Sequence, residues 1–82
     1  MTKSQTDKLD SAIRYIAEHP VQFGAKSIDA RTVSQSVDFK NHLIKQFDSN
    51  KSHIHKATIR ELAKSTWNVY LIWIQLPNIK RG

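Results

Sequence analysis

The chain has 82 residues, a formal charge of +6, no cysteine, two glycines and two prolines. A single domain spanning residues 1–82 with a modest core is what such a length supports. Without cysteine there are no disulfides and no thiolate zinc sites, and a reducing, cytoplasmic setting is expected.

The N-terminal MTKSQTDKLD is polar, so no secretory signal is expected, and the longest mostly apolar run, residues 67–76, is about half the length of a bilayer span. The charge is unevenly distributed. Residues 1–39 contain five basic and five acidic side chains, whereas residues 40–82 contain eight basic and two acidic ones. Such asymmetry suits a face for a polyanion; it is equally what a well-solvated basic protein would show.

In chain order, Ser4 and Asp7 offer a capping-box-like start, and Leu9, Ala12, Ile13 and Ile16 recur at helical spacing up to Pro20. The first helix is therefore expected over about residues 5–19. PVQFGAKS, residues 20–27, holds a proline and a glycine without helical period and reads as a loop whose Val21 and Phe23 tuck into the core.

A second, short helix is expected with Asp29 as its N-cap and Ala30, Val33, Ser34 and Val37 along one side. Asp38 stands at the bend, since aspartate is among the few residues that tolerate the left-handed region. A third helix then buries Leu43, Ile44 and Phe47 and turns Lys40, Asn41, His42, Lys45 and Gln46 outward. After the polar break at Asp48–Ser49–Asn50–Lys51–Ser52, a fourth helix of about five turns is expected to close the core over residues 58–76, with Thr58 and Glu61 at its start and Pro77 as its stop. Its β-prone run Val69-Tyr70-Leu71-Ile72-Trp73-Ile74 leaves a strand over residues 68–76 as the competing reading. The tail, with Lys80 and Arg81, is expected to fray.

The second and third helices match the pattern of a helix-turn-helix. With Ala30 as the first of twenty positions, apolar residues fall at the fourth, eighth, tenth, fifteenth and eighteenth, which are Val33, Val37, Phe39, Ile44 and Phe47. Ser34 supplies the small fifth residue and Asp38 occupies the ninth, usually glycine. On such a second helix Asn41 and Gln46 would pair with adenine edges and Lys45 with guanine or phosphate, while Lys40 near the helix start would contact phosphate and His42 a base edge or a phosphate.

LDSAIRYIAEHP, and TVSQSVDFKNHLIKQFDSNKSHI after it, resemble the N-terminal DNA-binding module of TetR-type repressors over roughly residues 9–55. The resemblance implies that Lys40, Asn41, His42, Lys45 and Gln46 face DNA and that Lys51, opening the next helix, touches a phosphate. The chain departs from that family in a longer segment before Val33, in Asp38 for the turn glycine, and in lacking the large ligand-sensing domain, so small-molecule sensing is not implied. Farther on, Lys56, Arg60 and Lys64 sit four apart and would form one basic ridge along a phosphate backbone if a single helix carried all three; otherwise they are a solvated side.

Other chemistries find little support. His53 and His55 lie two apart, a poor chelate on a helix, so no metal is expected. Carboxylates are scattered, and HExxH, GxSxG and phosphate-loop motifs are missing, so neither an enzyme nor a cofactor is expected. Trp67, Tyr70 and Trp73 share a face with core residues and are expected in the core or at a subunit interface, at least one tryptophan serving a homodimer. The expectation is thus an all-α domain of four helices that binds duplex DNA as a small transcription regulator. The alternative is a protein-interaction module, an inhibitor or adaptor, that meets an acidic protein partner through its basic or aromatic C-terminal helix.

Overall fold

The computed structural model describes residues 2–75, all helix, turn or connecting residues with no strand among them. Five α-helices follow one another: α1 Lys3–Glu18, α2 Ser27–Gln35, α3 Val37–Asp48, α4 Lys51–Lys56 and α5 Ile59–Trp73, with a single 3₁₀ turn at Pro20–Phe23 between α1 and α2. The strand alternative is thereby removed as far as Gln75. Leu76, Pro77, Lys80 and Arg81 lie outside the described residues. No helix among those described is long and apolar enough to cross a membrane.

Helix α1 begins two residues earlier than its apolar period suggests, because Thr2 rather than Ser4 caps it. The Thr2 hydroxyl accepts the Gln5 N–H at 3.3 Å, and the Gln5 side chain accepts the Thr2 N–H at 2.9 Å. Leu9, Ala12, Ile13 and Ile16 are buried, as their spacing requires. Pro20 then ends the α-helix, and the chain tightens into the 3₁₀ turn, closed by Gly24 at φ 64°. Phe23 packs against the core, but Val21 points into solvent, 89% exposed, since a turn this short buries only one of its two large side chains.

The bend between α2 and α3 is at Ser36, not Asp38. Ser36 closes α2 with its N–H on the Thr32 carbonyl, opens α3 with its carbonyl receiving the Lys40 N–H, and caps α3 with its hydroxyl receiving the Phe39 N–H at 3.1 Å. Its backbone is extended, φ −78° and ψ 117°, so no left-handed residue is needed; among the described residues only Gly24 has positive φ. Asp38 lies in the first turn of α3, where its charge suits the helix dipole. Asp29 likewise sits in the first turn of α2 instead of capping it. Its carboxylate faces the Lys26 N–H at 3.4 Å and receives the Tyr70 hydroxyl at 2.9 Å, a link from α2 to α5.

The helix expected from Thr58 is present as α5, and a short helix α4, not separately expected, precedes it, so the helices number five among the described residues and not four. Ala57, with ψ 144°, breaks the chain after α4, and Thr58 starts α5 by accepting the Glu61 N–H at 3.2 Å. The short α4 is pinned by Ile54, fully buried, and by its two histidines pointing opposite ways. His53 stacks on Phe47 at 5.9 Å and bonds to the Ser65 hydroxyl at 3.0 Å, whereas His55 accepts the Gln5 side-chain N–H at 3.0 Å.

α1 and α5 form the largest interhelical contact; α2 and α4 lean on α1, and α3 fills the remaining side against α4 and α5. Trp67, Tyr70 and Trp73 all enter this core, at 8, 3 and 2% exposure, so the expected subunit interface at these aromatics is not where the chain puts them. They are consumed by Phe23 and Phe39 of the same molecule: Phe23 meets Trp67 at 6.2 Å, and Phe39 meets both Tyr70 and Trp73 at 5.3 Å.

Two stability outcomes follow from this packing. Phe39→Ala removes the ring between two others and should cost about 3–5 kcal/mol, measured by urea unfolding. Thr66 is fully buried, and its hydroxyl has no hydrogen-bond partner among the described residues. Thr66→Val keeps the shape, removes that uncompensated group and should raise stability by about 1 kcal/mol in the same assay.

Candidate nucleic-acid interface

Helix α3 buries Phe39, Leu43 and Phe47, and this apolar row determines what the other sides present. Asp38, Asn41, Lys45, Gln46 and Asp48 are exposed. The side chains of Asn41, Lys45 and Gln46 make no hydrogen bond or ion pair with the described residues, so their donors and acceptors are open to an incoming molecule. Lys40 is only half-exposed and is tied to Asp10 of α1 at 2.8 Å. His42 is half-buried, its ring 6.5 Å from that of Trp73.

Val37 occupies the helix-turn-helix position that ought to be buried, yet it is 71% exposed. Ser34, the expected small residue at the crossing, is exposed as well. Both departures arise from the bend falling two residues early: Val37 becomes the first residue of α3, beyond the reach of the α2 core face. Val37 is consequently a surface residue at the leading end of α3 that periodicity alone misses. The signal for it was Ser36, a better N-cap than Asp38 is a left-handed turn residue.

The electrostatics differ from what the linear charge count suggests. On α3 two lysines, Lys40 and Lys45, are matched by two aspartates, Asp38 and Asp48, and Asp48 lies 3.5 Å from Lys51 of α4. Lys45, Lys51 and Lys56 remain the exposed cations on α3 and the neighbouring α4. Lys56 does not continue into a ridge with Arg60 and Lys64, because the break at Ala57 resets the helical phase. Lys64 lies nine residues from Trp73 and six from Tyr70, about a half and a third of a turn away around α5 at 3.6 residues per turn, and these two rings are the ones that meet Phe39 of α3. Arg60 and Lys64 instead border the 3₁₀ turn, beside Gln22 and Phe23. Lys64 therefore lies on a side of α5 turned away from α3, and Arg60 flanks the same groove.

Burial lowers the His42 pKa from its ordinary 6.5, and the Lys45 ammonium lowers it further. The ring is thus neutral at pH 7 and presents an imidazole N–H or a lone pair, a partner for a base edge rather than for a phosphate. Among the described residues no three His, Asp or Glu side chains gather as metal ligands would.

Comparison with protein families, curated proteins and solved structures finds no match to this chain.

The lowered His42 pKa has a definite consequence. The unfolded chain takes up a proton at this site first as pH falls, so the stability contribution is full above about pH 6.5 and is lost between that value and the lower folded pKa. Unfolding of the native chain should show this decline, and His42→Gln should lessen it. An NMR titration should also find the His42 pKa raised in Lys45→Met.

Proposed function

We propose that this protein binds duplex DNA through the outward side of α3, as a small transcription regulator of the cytoplasm that acts by binding and not by catalysis. One observation carries the reading: Asn41, Lys45 and Gln46, the residue types that pair with base edges, stand exposed and uncommitted on a helix whose opposite side is locked into the core. Such a helix offers a fixed geometry without an ordering cost at the moment of binding.

In this reading Asn41 and Gln46 address adenine edges, Lys45 a guanine edge, and neutral His42 gives a further hydrogen bond near the helix middle. Val37 at the leading end would meet a thymine methyl. Lys51 and Lys56 on α4 would hold phosphates, while Lys40, occupied by Asp10, would first have to leave its carboxylate. The resemblance to the TetR-type module agrees with Lys51 at the start of α4 as a phosphate contact. With Lys45 on a base edge and Lys40 on Asp10, two lysines, Lys51 and Lys56, are left for phosphates, which corresponds to a salt slope of about −2.

Fluorescence anisotropy with a labelled random duplex at two salt concentrations tests this. Binding at low salt that falls with a slope near that value is expected. Lys56→Ala should flatten the slope by about one unit on every duplex. Gln46→Ala should relax preference at one base pair by about 1–3 kcal/mol in a selection experiment. No binding to any duplex at low salt would end the proposal.

A further inference from the structure

Arg60 and Lys64 are left without a role by the reading of α3, and their surroundings form a site of their own. Between the 3₁₀ turn and α5 lies a groove of about 490 Å³ lined by Gln22, Phe23, Arg60, Lys64, Trp67 and Asn68. Its floor is aromatic: Phe23, partly buried, tilts 51° against Trp67. Its α5 wall carries two cations one helical turn apart, both exposed and neither in an ion pair among the described residues. Like charges at this spacing repel and destabilise the helix slightly, a strain that a bound anion relieves. The groove also has amide donors. Gln22 accepts the Tyr15 hydroxyl at 3.1 Å through its side-chain oxygen, leaving its NH₂ group available, and Asn68 is exposed one turn beyond Lys64.

An apolar floor of two aromatic rings beside a doubly cationic wall suits a ligand that is aromatic at one end and anionic at the other. We propose that this groove binds a nucleoside monophosphate, its base against Phe23 and the edge of Trp67, its phosphate between Arg60 and Lys64, and its polar base atoms on Gln22 and Asn68. Size agrees, since the groove is within the range of small-ligand sites. Guanidinium and ammonium together suit a phosphate dianion, the first by two parallel N–H bonds and the second as a point charge. The site is independent of DNA binding by α3, because the two lie on different sides of α5.

The test is an NMR titration of the intact chain with adenosine monophosphate, with no DNA present. The Trp67 indole, Phe23 and Asn68 signals should shift in a saturable way, while the buried Trp73 indole stays in place as an internal reference. Arg60→Gln should weaken binding about tenfold or more and Lys64→Gln somewhat less; both side chains are exposed, so the fold should be kept. Lys45→Ala should leave it unchanged, which separates this site from α3. Inorganic phosphate producing the same shifts at the same concentration would overturn the proposal in favour of a bare cationic patch. Adenosine binding as tightly as its monophosphate would also overturn it, as would an acidic peptide that shifts these signals where the nucleotide does not.

Discussion

The burial of one aromatic face of α5 is the constraint on which the rest of the structure depends. Trp67, Tyr70 and Trp73 stand at successive turns along it, with Trp67 stacked on Tyr70 at 5.1 Å and Tyr70 beside Trp73 at 6.1 Å. No single neighbouring helix covers so much ring area. Phe23 from the 3₁₀ turn takes one end, Phe39 from α3 the other, and α1 lines the rest with Leu9, Ala12, Ile13 and Ile16. Each aromatic pair adds about 0.5–1.5 kcal/mol beyond its buried area, and that sum matters in a domain of this size. The side of α3 that faces outward is simply the side left after Phe39 has been claimed.

The same constraint divides the positive charge. Along the chain the excess looks continuous from Lys40 onward, but α5 has to rotate its aromatic face inward, which carries Arg60 and Lys64 to the flank beside the 3₁₀ turn. Lys45, Lys51 and Lys56 are held on the side of α3 and α4. Asp10 and Asp48, each placed by its own helix, then take up part of what remains through Lys40 and Lys51. What a sum over residues presents as one basic half is in space two modest cationic areas.

Helix α4 shows how little is needed to hold a short element in place. Six residues are too few to be helical alone, and only Ile54 and the following Ala57 are deeply buried. The two histidines complete the anchoring by reaching in opposite directions, to Phe47 and Ser65 on one side and to Gln5 on the other. Their spacing of two residues is what makes this possible, and it is the same spacing that sends them away from a shared metal.

The sequence by itself determined the all-α class, the core residues of α1, the Thr58 start of α5, and the exposure of Asn41, Lys45 and Gln46, because periodicity and capping are local and each element carries its own record of them. It also placed a bend close to its true position. What it left undetermined were matters in which two segments compete. Whether Ser36 or Asp38 makes the bend depends on which residue can both terminate α2 and cap α3, and that choice exposes Val37. Whether the tryptophans face a partner or their own chain depends on Phe23 and Phe39 arriving from elsewhere. Whether Lys56, Arg60 and Lys64 form one row depends on the break at Ala57, where Ile54 must seat in the core before α5 can begin. Each of these was decided by the tertiary structure, since burial of a ring is a contact between distant parts of the chain and has no period of its own.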